Sequence, residues 1–327
     1  MKHHLLRNLG LCIVCYLLQA AGICRAQPSQ VTVGAYINDI QALNLREHSY
    51  AADVYLWFRW TDNSLAPDDT VEILNPNELW GHVTDKIYDQ PVQLPGGELY
   101  QVVRIQGRFS RKFFFDNYPF DRQELTIEFE DSAHETNRMI YVADENPVAV
   151  NPRLKLPGFR VSAPKLEIEE FCYPTTFGDT RRTESHCYSR VNVSVPIRRP
   201  ALTTSIKLLL PVFCVVLGAS IMLRLQVNYV DARIGTGITA LLTVVAIQLA
   251  SNDTMPNVDY LVMMDKIHLC AYAYVLAGLG VVLTATRRAD QGEIESANKL
   301  QRTGFWVITL LFVAMVIGLL SYAIWRG

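Results

Sequence analysis

DARIGTGITALLTVVAIQLASND, residues 231–253, is long enough to cross a bilayer as a helix, yet it is poorly made for facing lipid on all sides. At about 100° per residue, Asp231, Gly235, Thr239, Leu242, Ala246, Leu249 and Asp253 fall within an arc of about 80°. That stripe runs acid, small, hydroxyl, aliphatic, small, aliphatic, acid. Ile234, Leu241, Val244, Val245 and Ile247 take the opposite side. A small, polar, acid-ended stripe suits a water-filled path shared with copies of the same helix. It suits as well a buried helix whose stripe faces its neighbours in a monomeric bundle. The stretch alone leaves both readings open.

Composition narrows the classes. The 327 residues are 50% hydrophobic with a formal net charge of -2, and no basic block interrupts the balance of charges. That excludes a nucleic-acid partner. Apolar residues gather at the N-terminus and in the last third, so an exported domain followed by a membrane domain is expected. Residues 1–26 read as a secretory signal, with Lys2 and Arg7 before an apolar run at 9–21 and a cut before Gln27. A lipoprotein signal fits poorly because Ile23 precedes Cys24, and the run is short for a retained anchor. Of the seven cysteines, Cys12, Cys15 and Cys24 leave with the signal, while Cys214 and Cys270 lie in apolar segments. Cys172 and Cys187 remain in the exported part and flank the turn-rich PTTFGDTRRTESH. A disulfide across that hairpin base, worth about 3 kcal/mol, is favoured over two free thiols.

Residues 27–199 alternate short apolar-rich segments with turn signals. Strands are expected at 31–40, 50–60, 99–109, 123–129, 138–142, 165–173 and 188–197, and no long amphipathic helix interrupts them. The fold class expected is an all-β, immunoglobulin-like sandwich. Within 55–60, Leu56, Phe58 and Trp60 point to the core, and Tyr55, Trp57 and Arg59 point outward as an interface or ligand wall.

Residues 200–327 read as an all-α bundle of four spans, at about 200–223, 231–253, 260–286 and 304–325. Arg224, Arg233, Arg287, Arg288, Lys299 and Arg302 fall in the connections that an exported N-terminal domain places inside; the outer link 251–259 has acids and no basic residue. This satisfies the positive-inside rule. The inner connection 287–301 leaves room for a turn and a helical lead-in. Asp265, Lys266 and His268 are expensive against lipid and are expected near the outer end, in a wet pocket or paired between subunits.

Several motifs now resemble one family. Trp60-Thr61-Asp62-Asn63-Ser64-Leu65 is similar to the W-x-D-x-x-L segment of pentameric ligand-gated ion channels, the Cys-loop receptor superfamily. Tyr118-Pro119-Phe120-Asp121 resembles that family's [FY]-P-F-D loop, without flanking cysteines, as in its bacterial members. Leu79-Trp80 stands where the family has W-x-P-D, but Gly81-His82 follow. Arg198-Arg199-Pro200 looks like the entry to the first membrane helix. ARIGTGITALLT, residues 232–243, closely resembles the pore helix of glycine and GABA receptors. The likeness spans essentially the whole mature chain.

The resemblance implies a homopentameric ligand-gated channel in the cell membrane, multi-pass, with its N-terminal domain extracytoplasmic (periplasmic in a Gram-negative cell) and no cofactor. Leu242 becomes the hydrophobic gate, and the stripe from Asp231 to Asp253 lines the pore, with Arg233 turned away from the lumen. Asp231 departs from the anion-channel pattern, which has Pro there, and five carboxylates at the inner mouth argue for permeant monovalent cations. Agonist is expected under the hairpin, between Phe171, Tyr173, Phe177 and Tyr188 with Trp80 and His134 on one subunit, and Tyr55, Trp57, Arg59 and Arg104 on the next. The aromatic wall suits an amine, the arginines suit a carboxylate or a zwitterionic amino acid, and His82, His134 and His186 suit protons. Tyr118, Pro119, Phe120, Asp121, Arg199 and Pro256 are expected to couple the two domains. Asp68, Asp69 and Glu72 read as a Ca²⁺ site or a solvated turn. Competing readings are an anion channel, a proton-gated channel of the same architecture, a non-conducting membrane sensor and a membrane-anchored enzyme. The sensor lacks cytoplasmic surface for a partner; for the enzyme there is no nucleophile elbow, zinc motif or paired catalytic carboxylates.

Overall fold

A computed structural model of the chain describes residues 27–78, 81–181, 185–253 and 258–326. Its order is β1 (Ser29–Asn44), β2 (Ser49–Trp60), a short helix α1 (Pro67–Thr70), β3 (Val71–Ile73), β4 (Val83–Lys86), β5 (Val92–Gln93) and β6 (Leu99–Ser110). Then come β7 (Arg122–Asp131), β8 (Met139–Val150), β9 (Arg160–Val161), β10 (Lys165–Cys172) and β11 (Cys187–Arg198). Four long helices follow: α2 (Ala201–Ile221), α3 (Val230–Asn252), α4 (Met263–Asp290) and α5 (Ile294–Arg326). The expected signal segment, Trp80 and Pro256 lie outside the described residues.

Alternation of apolar and polar residues builds the strands, and it also decides which faces meet. A six-stranded sheet runs β4-β6-β2-β1-β8 with β5 beside β6, and a five-stranded sheet runs β10-β11-β7-β3 with β9 beside β11. All pairings are antiparallel except β1 with β8. The inward residues of both sheets, among them Val33, Leu56, Phe58, Val103, Phe129 and Val193, are fully buried and form the sandwich core. Tyr55, Trp57 and Arg59 alternate with them on the outer face.

The helices α2 to α5 are each long and apolar enough to cross a membrane. One apolar core continues from the sandwich into this bundle, joining Val31 and Val193 at one end to Val275 and Phe312 at the other. Helix α5 starts at Ile294, inside the stretch read as a connection, because Ala297 and Gln301 both have a buried face to fill. His268 is fully inside the bundle of its own chain, so the expectation of a wet or inter-subunit position for it is corrected.

Candidate functional site

The hairpin of β10 and β11 gathers the first group of candidate residues. Cys172 and Cys187 are directly opposite in the ladder and form a disulfide that closes the hairpin base. Phe171 faces Tyr188 one step along. Tyr173 packs edge-on against Phe171, Phe177 and Tyr188, with ring centroids 5.0, 5.2 and 5.9 Å away.

Two residues that the sequence reading passed over organise this cluster. Arg190 and Glu130 are cross-strand partners on β11 and β7. The Tyr173 hydroxyl donates to Glu130 Oε1 at 2.8 Å, and Arg190 Nη2 donates to Glu130 Oε2 at 3.1 Å. The Arg190 guanidinium also lies 3.6 Å above the Phe171 ring, a cation–π contact. Burial, and then the hydrogen bond to Glu130, hold the Tyr173 phenol above its usual range. Beside them is a cavity of about 310 Å³ lined by Glu72, Glu130, Ser132, Tyr173, Phe177 and Tyr188. Glu130 lies one residue beyond the strand expected at 123–129, and its burial under the hairpin has no local signal.

The row on β2 lies on the opposite outer face of the sandwich, so the two groups do not meet within one chain. Trp57 Nε1 donates to Asp144 Oδ2 at 2.8 Å, and Arg59 Nη2 donates to Asp144 Oδ1 at 2.6 Å. Gly34 is opposite Trp57 in the ladder, and a Cβ there would come within 2.1 Å of the indole. Arg104 binds Asp53 with both Nε and Nη2, at 2.9 and 2.7 Å, and stacks over Tyr55. The two guanidiniums expected to attract a carboxylate are therefore already matched by carboxylates of the same face.

The three loop histidines also have partners. His134 Nδ1 is 2.9 Å from Asp131 Oδ1, and His186 Nδ1 is 2.8 Å from Glu135 Oε1. His82 Nε2 donates to the Arg108 carbonyl at 2.8 Å. Asp68 and Asp69 hold the Lys86 ammonium at 2.7 and 2.6 Å, so the place read as a Ca²⁺ site is taken by a lysine.

At the junction, Tyr118 and Asp121 are buried and Phe120 is half-buried against the shared core; the Tyr118–Pro119 bond is cis. Arg199 forms an ion pair with Asp121 at 3.4 Å, with its guanidinium over the Tyr118 and Phe159 rings. Two hydrogen bonds tie the same loop to the bundle. Phe115 N donates to Tyr260 Oη at 2.9 Å, and Met263 N, the first residue of α4, donates to the Asp116 carbonyl at 3.1 Å.

On α3, Asp231, Gly235, Thr239, Leu242, Ala246, Leu249 and Asp253 are all exposed, whereas Arg233, Gly237, Ala240 and Val244 are buried against the bundle. Leu242 is 65% and Leu249 62% exposed, in the range of outward leucines such as Leu217 and Leu310 on the other long helices. Arg233 turns inward, donating from Nε to the Met222 carbonyl at 3.0 Å and from Nη2 to Gln301 Oε1 at 2.9 Å.

No protein-family model matches the chain. It is similar to the gamma-aminobutyric acid receptor subunit beta-4 of Gallus gallus, 21% identical over 272 residues, covering 77% of this chain and 54% of that protein. It is also similar to the glutamate-gated chloride channel of Drosophila melanogaster, 22% identical over 260 residues, covering 73% of this chain and 54% of that protein. The chain thus spans about half the length of the curated relatives it matches. One of these relatives is by name a receptor subunit and the other a channel, and four membrane-length helices mark a multi-pass membrane protein. Sandwich, hairpin, loop and bundle fall in the order that the Cys-loop receptor superfamily of ligand-gated ion channels uses, and this chain is a distant homologue of that superfamily.

Proposed function

We propose that the chain assembles as a homopentameric, ligand-gated channel for monovalent cations, opened by a small amine bound between its sandwich domains. The observation that carries the reading is the exposed stripe of α3, a helix that packs on its chain through Arg233, Gly237, Ala240 and Val244 and leaves the Asp231-to-Asp253 face bare. Five such faces around an axis form a lumen. Rings of Leu242 gate it by dewetting, and rings of Asp231 concentrate cations at the inner mouth. Arg233 cannot offset that charge from the lumen, because it is buried in the bundle.

An amine is supported by charge bookkeeping at the hairpin. Glu72 and Glu130 line the cavity against a single guanidinium, Arg190, while Arg59 and Arg104 on the other face are matched by Asp144 and Asp53. A cation among Tyr173, Phe177 and Tyr188 gains from ring faces and from Glu72, the cavity carboxylate that has no ion pair among the described residues. A second reading, anion conduction, is favoured by one observation: a relative is by name a chloride channel.

Purified protein in liposomes under a NaCl gradient separates the two. Amine-evoked current should reverse near the sodium potential, Leu242→Ala should open at lower amine concentration, and Asp231→Ala should move reversal toward chloride. A reversal at the chloride potential in the wild type overturns the selectivity, and monomeric protein without current overturns the channel.

A further inference from the structure

One end of the five-stranded sheet carries a row of arginines. Arg198, the last residue of β11, stands directly opposite Arg122 of β7 on one side and Arg160 of β9 on the other. Opposed residues of antiparallel strands point to the same face, with Cβ atoms about 5 Å apart. Ile197 and Gln123, the sequence neighbours of Arg198 and Arg122, are buried, so the row is on the outer face, and all three arginines are exposed. None of the three joins an ion pair among the described residues. Glu124, two residues along β7 on the same face, lies 3.9 Å from Arg111 instead. Like charges directly opposite in a ladder weaken it, and three in a row are a standing cost that an anion offsets.

The position of the row says which anion. The membrane-length stretch of α2 begins at Thr203, five residues after Arg198. With 198–201 extended and helix beyond, that is at most about 13 Å. Arginines at this height stand in the polar layer that borders the hydrocarbon. A second feature is independent of the charges. Phe114, in the loop that leads into β7, is 68% exposed, more than any other large apolar side chain of the sandwich among the described residues. Its backbone is held on both sides by the Gln123 amide: Phe114 N donates to Oε1 at 3.3 Å, and Nε2 donates to the Phe114 carbonyl at 2.6 Å. Gln123 follows Arg122, so an outward ring is fixed beside the row. The next residue, Phe115, is bound to Tyr260 just before α4, which sets this loop at the same height.

We propose that the row Arg122, Arg198 and Arg160 docks on the phosphates of anionic phospholipids in the leaflet on the sandwich's side. Guanidiniums take phosphate oxygens in pairs, and a bound headgroup removes the repulsion along the row. The Phe114 ring enters the boundary between headgroups and acyl chains. The two outer strands of the row end at different parts of the junction: β7 begins at the turn that carries Pro119, and β11 runs straight into α2. A phosphate shared by Arg122 and Arg198 therefore clamps the turn to the entry of the first membrane helix, and the lipid composition of that leaflet becomes a regulator of the junction.

The test uses the full chain in phosphatidylcholine vesicles and requires no current, so it does not depend on the channel reading. Phe114→Trp supplies a local reporter, read as the fluorescence gained over the wild type. Phosphatidylglycerol brominated on the first carbons of its acyl chains should quench it, half-maximally at a lower mole fraction than equally brominated phosphatidylcholine. Adding Arg198→Gln should raise the phosphatidylglycerol mole fraction about fivefold, the effect of one arginine at an anionic surface. Inorganic phosphate should not reverse the quenching. In detergent without phosphatidylglycerol, Arg198→Gln should not lower the thermal midpoint, since it removes two like-charge contacts; a lowered midpoint would make the row structural and overturn the proposal. Equal quenching by the two lipids overturns it as well, as does a midpoint indifferent to Arg198→Gln. Absence of quenching by either lipid would put the row against a neighbouring subunit, and displacement by inorganic phosphate would make it a free-anion site; both outcomes sink the lipid assignment.

Discussion

Arg233 is a fully buried guanidinium that meets carbonyl and amide oxygens rather than a carboxylate. Gln301 completes the arrangement, since its amide also donates to the Leu223 and Leu225 carbonyls at 2.8 and 2.7 Å. These are the free carbonyls that follow the end of α2, and a donor there does the work of a helix cap. Gln301→Leu strands three acceptors or donors at once. It should lower the thermal midpoint of the detergent-solubilised protein, at a cost of about 3 kcal/mol; an unchanged midpoint refutes the assignment. A different residue governs acid behaviour. Hydrogen bonds from Arg104 hold the Asp53 carboxyl below its usual range. A depressed folded pKa means stability that is fully present above the unfolded value of about 4 and is lost as pH falls through the folded one. Between pH 5 and pH 3 the wild type should lose denaturant resistance, and Asp53→Asn, weaker at pH 5, should lose less over the same interval. Equal slopes for the two proteins count against the pair. At this scale the sequence was a good guide to direction and a poor one to partners. Alternation placed Trp57 and Arg59 on an outer face, but Asp144, 85 residues beyond Arg59, gave no local sign that it would meet it.

Strands with a strong period-two pattern are where the sequence places them, and the discrepancies have a common cause. β3, β4, β5 and β9 are two to four residues long and too short to show a period. β8 continues to Val150, through Pro147 and well past the strand expected at 138–142. As the edge strand it pairs only with β1, across an irregularity between Val33 and Ala35, and an edge tolerates a proline that a central strand does not. The β10–β11 hairpin was legible through its cysteines. Its bridge spans 15 residues, a loop whose closure is worth about 3 kcal/mol in the unfolded chain. The double change Cys172→Ser and Cys187→Ser should lower stability by about that amount in an oxidising buffer and match the reduced wild type. Equal stability of the oxidised wild type and the double variant would show that the bridge contributes nothing. The inner connection reads as a turn and a helical lead-in, and a turn marked by Gly292 at positive φ does lead into α5 at Ile294, where buried Ala297 and Gln301 stand at helical spacing.

At the scale of the molecule, sandwich and bundle share one apolar core, and among the described residues polar contacts of Arg199, Tyr260 and Met263 gather at their junction. These contacts are of two kinds, and they separate stability from transmission. Arg199 neutralises Asp121, whose side chain is almost wholly buried. Arg199→Gln leaves that charge unpaired and should cost about 3 kcal/mol, so a loss of current in this variant does not distinguish an uncoupled channel from an unfolded one. Tyr260 is the sharper probe. Its hydroxyl accepts from Phe115 N at 2.9 Å, two residues before Asn117 in the turn that carries Pro119, and Met263 N holds the next carbonyl, that of Asp116. The link before α4 and the turn are therefore stitched at consecutive residues, so a shift of the turn must move the start of α4. Tyr260→Phe removes one stitch and keeps the ring. On the channel reading proposed above, equilibrium amine binding to the non-conducting protein should stay as in the wild type, while the concentration for half-maximal current should rise about fivefold, the equivalent of one neutral hydrogen bond of about 1 kcal/mol. Equal shifts in binding and in current would place Tyr260 in the binding equilibrium itself, and an unshifted current would mean that the stitch carries no part of the movement.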